Sequence, residues 1–316
     1  MFYLFLLILL FAAELVYFRI ADHFNIIDKP NERSSHASIS LRGGGIVFYI
    51  GVLLYFVQEG FQYPWFVLGL TLIAVISFVD DIRPQSTKLR LLIQLFSMIL
   101  MFYQWGLFDF PWYFAVLALV LSTGILNAYN FMDGINGITG GYSLVVAGVL
   151  CYINLYQTAF VDADLLFTFI FSLIVFDFFN FRTKAKCFAG DVGAISAAFI
   201  LLFLLGLLIL KSGDFSYIVL LAVYGVDTIL TIIHRLILKE NIFEAHRKHV
   251  FQLMANELKI PHLIVSTFYA LLQAVIAVGY FVFKLHSYYY LIGIIVILSF
   301  CYVVFIKKYY HLHRQG

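Results

Sequence analysis

The feature that most constrains this chain is the recurrence of long apolar runs, each near the ~20 residues that a helix needs to cross a bilayer. They fall at 1–18, 43–57, 64–79, 91–104, 111–126, 142–156, 165–179, 194–210, 215–233, 263–283 and 288–306. A transmembrane β-barrel would show short alternating segments instead. The composition agrees, with 63% hydrophobic and 12% charged residues, too few polar groups to coat a soluble core. The expected fold is all-α: one polytopic membrane bundle over 1–316 with about eleven transmembrane helices. The first run lacks a basic leader and a small-residue cleavage pattern, so it reads as a retained helix and not a removed signal.

The basic residues orient the bundle. With the N-terminus outside, 18 of the 20 Lys and Arg fall in inside segments, leaving Lys211 and Lys284 outside. Such a bias predicts an N-out, C-in topology with a cytoplasmic working face. The net charge of +2 carries little information, and the basic residues form no contiguous patch of the kind nucleic acid requires. Cys151, Cys187 and Cys301 are widely spaced and suggest neither a disulfide framework nor a zinc site.

Five inside segments carry polar groups that a bilayer-spanning composition does not explain. In DKPNERSSHASISLRGGG (28–45) the triple glycine opens a helix whose free N–H groups would favour an anion, joined by Arg33, His36 and Arg42. In DDIRPQSTKLRLLIQ, Asp80 and Asp81 stand at the end of an expected helix, where its dipole makes adjacent carboxylates unfavourable without a cation. They read as Mg²⁺ ligands, or as one ligand plus a general base, or as a cap paired with Arg83 or Lys88. NAYNFMDGINGITGG (127–141) sets Asp133 among Asn127, Asn130 and Asn136, with glycines expected to give a ligand close approach. NFRTKAKCFAGDVG places Asp191 just before a helix, as an N-cap or a ligand, and leaves Asp177 with Arg182 as its only evident partner. HRKHVFQ supplies His246 and His249, which would share one helix face beside Arg247 and Lys248 and suit a phosphate better than zinc. Carboxylates for Mg²⁺ beside bases for phosphate, Lys186 among them, suit phosphoryl transfer between a polar donor and a lipid.

Taken in order, these motifs resemble those of the polyprenyl-phosphate N-acetylhexosamine-1-phosphate transferases, over about 28–252 of the chain. The resemblance implies transfer of sugar 1-phosphate from a UDP-N-acetylhexosamine to undecaprenyl phosphate in the bacterial inner membrane, with release of UMP. It also implies dependence on Mg²⁺, with Mn²⁺ as the alternative ion, and leaves a homodimer open. By the same resemblance Asp80, Asp81 and Asp133 are active-site carboxylates, with Asp80 acting on the lipid phosphate. Asp191 ligates the metal, with Asp81 a second candidate ligand. Phe188 stacks on uracil, Asn180 lines the same pocket, and His246 and His249 contact phosphate or sugar. Lys88, Asn130, Lys186 and Arg247 complete the implied binding set. Two departures stand out. Asn136 replaces a frequent aspartate and is a binding candidate only, and HRKH differs from the histidine motif of the peptidoglycan branch. The competing reading is a sugar or lipid-intermediate transporter, but no internal repeat is visible and the polar groups gather at one face.

Overall fold

The computed structural model describes residues 2–28, 40–241 and 246–313. Its helices are α1 (Phe2–His23), α2 (Ile46–Gln58), α3 (Pro64–Ile82), α4 (Thr87–Gln104), α5 (Trp112–Met132) and α6 (Ile138–Tyr156). There follow α7 (Ala163–Asn180), α8 (Gly190–Ser212), α9 (Ala222–Ile237), the single turn α10 (Val250–Gln252), α11 (His262–Val282) and α12 (Ser287–His313). Among the described residues nine helices are long and apolar enough to cross a membrane. The other two expected runs correspond to α2 and α4. The first has 13 residues, about 20 Å of helix, and the second begins four residues earlier than its apolar run, at a Ser86 cap that accepts from Leu89 N. Polar residues in its first turns, Lys88 and Arg90, explain why hydropathy alone truncates α4.

At the centre stands α8, whose residues are buried along nearly its whole length against α2, α3, α5 and α6. Phe199 and Phe203 stack on Phe66 of α3, with ring centroids 5.8 and 3.8 Å apart. At its other end α8 is thin: a Cβ on Gly45 would lie 2.2 Å from the Gly193 Cα. The glycines of RGGG and GDVG therefore let the starts of α2 and α8 cross in backbone contact. Gly43 (φ 81°) and Gly190 (φ 69°) occupy the left-handed region that only glycine enters without strain.

The 215–233 run is broken, starting as a 3₁₀ segment (Phe215–Leu221) before α9. Buried Gln273 of α11 repairs the break: its Nε2 donates to Val219 O (3.1 Å), and its Oε1 accepts from Val223 N (3.3 Å) and the Tyr142 hydroxyl (2.8 Å). Irregular backbone inside a membrane protein requires such internal partners. At the end of the bundle that carries the polar motifs, β1 (Ile27–Asp28) pairs antiparallel with β2 (Ser40–Leu41), and Leu41 also bridges to Cys187. Arg33 and His36 lie outside the described residues.

Candidate active site

Two neighbouring aspartates at the end of α3 have opposite duties. The Asp81 side chain is fully buried and turned toward the start of α8, where its oxygens accept from Asp191 N (2.9 Å) and Val192 N (3.0 Å). It caps α8 from another helix, so the unfavourable negative end of α3 is offset by the positive start of α8. Its Oδ1 also receives Arg42 Nε at 2.7 Å. Asp80 accepts Gln85 N at 2.6 Å and pairs with Arg90 Nη1 at 2.7 Å. Asp191, in the first turn of α8, receives Arg42 Nη2 at 3.5 Å and Arg90 Nη2 at 3.1 Å. Three carboxylates and two guanidiniums thus interleave at one end of the bundle. The N-cap of α8 is Ala189, so Asp191 does not cap its own helix.

Asp133 terminates α5 and belongs to the same field. Burial lifts its carboxyl to about 6; the Thr139 hydroxyl, donating at 2.6 Å, opposes this, while the Asp81 charge reinforces it and Arg42 counters.

The glycines of 127–141 serve protein contacts and not a ligand. A Cβ on Gly137 would strike the Phe181 ring at 2.3 Å, and one on Gly140 the Asp177 Oδ1 at 1.9 Å. The triple glycine likewise has no spare donors in Gly44 and Gly45, whose N–H groups bond Phe188 O (2.9 Å) and Ala189 O (3.2 Å). Asn180 is also committed: its Oδ1 accepts Gly137 N (2.7 Å) and its Nδ2 donates to Cys187 O (2.8 Å). Asn136 donates to Arg182 O (2.9 Å) and Thr183 O (3.3 Å). Both amides therefore tie the α5–α6 loop to the segment before α8, Asn180 through both of its polar atoms and Asn136 through Nδ2 alone, its Oδ1 being buried without a hydrogen bond among the described residues. Asn130 is half-buried in the last turn of α5. Lys88 is exposed, and Arg90, two residues later, makes the ion pairs. Lys186 is exposed on the segment that leads to half-buried Phe188. Arg182 donates to Phe178 O and lies 4.9 Å over that ring, while Asp177 Oδ1 is buried without a hydrogen bond among the described residues.

The histidines meet without a helix. Residues 246–248 have no regular secondary structure and His249 is the N-cap of α10, yet the two rings lie 5.0 Å apart beside Phe131. Burial and the neighbouring His249, Arg235 and Lys248 depress His246 to about 3, making it a neutral imidazole at physiological pH. Arg247 is half-buried beside it. His249 is fully buried, with Nδ1 3.3 Å from Asp227 Oδ1 and Nε2 without a hydrogen-bond partner among the described residues. Asp227, from the middle of an apolar helix, also accepts Val250 N (3.1 Å) and the Tyr269 hydroxyl (2.7 Å). It is the functional candidate that sequence reasoning passed over, and its signal was an ionisable residue within a membrane span.

For a hard divalent cation the donor chemistry is suitable, since Asp80, Asp133 and Asp191 offer carboxylate oxygens. Among the described residues no three His, Cys, Asp or Glu side chains converge as a ready cage, and Arg42 and Arg90 supply the compensating charge.

Comparison with known sequences places these residues in context. Residues 63–209, running from the start of α3 to the end of α8, match the profile of glycosyl transferase family 4. A Bacillus subtilis (strain 168) protein named probable undecaprenyl-phosphate N-acetylglucosaminyl 1-phosphate transferase is 28% identical over 253 residues, 73% of this chain and 70% of its own length. Over residues 63–209 the chain is similar to glycosyl transferase family 4. Undecaprenyl-phosphate alpha-N-acetylglucosaminyl 1-phosphate transferases of Yersinia pestis and Escherichia coli (strain K12) are 30% and 28% identical over 64% and 63% of this chain. The chain spans 60% of the length of each of those two relatives. The segment that matches the family profile contains Asp80, Asp81, Arg90, Asp133 and Asp191, whereas Arg42 and the histidines lie outside it.

Proposed function

We propose that the protein transfers an N-acetylhexosamine 1-phosphate from a UDP-sugar to undecaprenyl phosphate, releasing UMP and starting a lipid-linked cell-surface glycan. The observation that carries this reading is the meeting of Asp80, Asp81 and Asp191 with Arg42 and Arg90 at one end of an apolar helical bundle. A site there is open to a charged donor from water and to a lipid phosphate from the bilayer. The names of the related proteins support the acceptor and the transferred group.

In the reaction an oxygen of the acceptor phosphate forms a bond to the sugar-linked phosphorus, and the anhydride bond to the uridylate breaks. Positioning and charge neutralisation dominate such a transfer. Arg42 and Arg90 are poised to take diphosphate oxygens in exchange for their carboxylates, and Asp81 holds both Arg42 and the start of α8 in place. Asp80 is the carboxylate suited to orient the acceptor phosphate or receive its proton. His249, oriented by Asp227, offers Nε2 to a phosphate or sugar oxygen, and Phe188 offers a ring to the uracil. Mg²⁺, or Mn²⁺ in its place, would be held by Asp191 with Asp80 beside it and would neutralise charge on the diphosphate.

The same reading sets the bundle in the bacterial inner membrane as N-out and C-in, with eleven crossings when α2 and α4 are counted, the site on the cytoplasmic face, and a homodimer as the assembly. The testing experiment incubates purified protein with undecaprenyl phosphate, Mg²⁺ and a panel of UDP-N-acetylhexosamines and measures UMP. One donor should release UMP only when lipid and metal are both present. Folded protein giving no UMP with any donor would overturn the proposal.

A further inference from the structure

A second charged and apolar feature lies away from the acidic cluster. Helices α9 and α12 diverge slightly to form a groove of about 440 Å³. Its walls are Leu230, Ile233 and Ile237 of α9 and Val303 and Ile306 of α12, and one end is rimmed by His234, Lys307 and His311. Buried Tyr302 forms its floor, packed in one cluster with Ile306 and with Leu253 from the turn after His249. With 27 residues, α12 is about 40 Å long, so its last turns reach beyond a hydrocarbon layer of about 30 Å. The rim consequently lies at headgroup depth while the walls run into the acyl region.

The two faces of α9 distinguish this groove from the reaction site. Asp227, Thr231 and Arg235 recur every four residues and are buried; Asp227 pairs with the His249 ring, and Thr231 bonds the Tyr302 hydroxyl of the groove floor at 3.0 Å. Leu230, Ile233, His234 and Ile237 line the groove on a face roughly a third of a turn away. Lys307 and His311 are one turn apart on α12 and so present a cation and an imidazole side by side, opposite His234.

We propose that the α9–α12 groove binds an anionic phospholipid of the surrounding bilayer, its phosphodiester on Lys307 and His311 and its acyl chain along Ile233 and Val303. Charge complementarity selects the headgroup: a lysine at the membrane surface favours an anionic lipid by about 1 kcal/mol, and the apolar walls supply the remaining contact. The bound lipid would buttress the histidine loop. Tyr310, which lines the groove, touches the His234 ring (centroids 4.6 Å apart) and lies 5.8 Å from Lys248 Nζ, two residues from His246.

Native mass spectrometry of the full chain, titrated with phosphatidylglycerol and with phosphatidylcholine, tests this directly. Wild type should retain phosphatidylglycerol at least about tenfold better, a difference near 1.4 kcal/mol. The double variant Lys307→Ala/His311→Ala should retain the two lipids equally, whereas Lys308→Ala, on a neighbouring face, should behave as wild type. If the double variant does not fold, Lys307→Gln alone should lower the preference by at least half. Equal retention by wild type, an equal loss in Lys308→Ala, or one-for-one displacement of phosphatidylglycerol by undecaprenyl phosphate would overturn the proposal.

Discussion

Replacing Asp81 with asparagine separates the architectural from the chemical carboxylates. The Asp81 side chain is fully buried and accepts from Arg42 Nε, Asp191 N and Val192 N at 2.7, 2.9 and 3.0 Å. An asparagine oxygen can keep part of this, but its NH₂ group must face another donor, either the guanidinium or a backbone N–H. Arg42 is partly exposed and keeps Asp191, so the cost lies mainly in the mismatched buried bonds to the start of α8, about 1–3 kcal/mol. At ~2–4 °C of melting temperature per kcal/mol for a larger domain, Asp81→Asn should melt roughly 2–12 °C below wild type. Its transferase activity should fall with the loss of the site's frame. Asp191→Asn provides the contrast, because Asp191 is bonded to the two arginines at a partly exposed position. It should lose activity by orders of magnitude while melting within a few degrees of wild type. The assay is a thermal scan in one detergent beside initial rates of UMP release. A normal melting temperature for Asp81→Asn would refute the reasoning, because it would mean that the start of α8 does not depend on that carboxylate.

Further outcomes follow from the same geometry. Arg90→Met removes the contacts to Asp80 and Asp191; a loss of about 2 kcal/mol of charge-assisted bonding corresponds to a rate lower by ~30-fold, while Lys88→Met should stay within about threefold of wild type, as steady-state kinetics will show. The pH profile of kcat/KM should rise through about 6 as Asp133 ionises, and Thr139→Val, which removes the opposing hydrogen bond, should move that limb upward. For stability the sign is reversed: the Asp133 carboxyl is raised in the folded state, so its contribution is complete below the usual carboxylate range and disappears as pH rises through about 6, which thermal scans of wild type and Asp133→Asn can resolve. Gly193→Ala would set a Cβ 2.6 Å from the Gly45 Cα and should abolish folded yield by size-exclusion chromatography, whereas Gly148→Ala, with open space around it, should be neutral.

Much of this architecture is legible in the sequence because membrane physics acts on long, local runs. Nine of the expected spans are helices long and apolar enough to cross. The others, α2 and α4, are harder to read because one is short and the other carries Lys88 and Arg90 in its first turns. The gathering of Asp80, Asp81, Asp133 and Asp191 was also expected, since intramembrane or boundary carboxylates are costly without a purpose. What sequence cannot supply is the partner of each group. The glycines of NAYNFMDGINGITGG read as room for a ligand, but Phe181 and Asp177 fill that room from α7 and the residue after it. Asn136 and Asn180 have the chemistry of binding residues, yet backbone groups engage both polar atoms of Asn180 and the Nδ2 of Asn136. Arg90 could be preferred to Lys88 only once the phase of α4 against α3 was fixed, and Asp227 found its role through His249, 22 residues away.

The most direct measurement of the central claim follows the β-phosphate of the donor. With UDP-N-acetylhexosamine labelled at that phosphorus, the label should pass into the organic-soluble lipid product in a one-to-one ratio with UMP. Plain glycosyl transfer would leave the label in the aqueous phase as UDP, and that result would contradict the account.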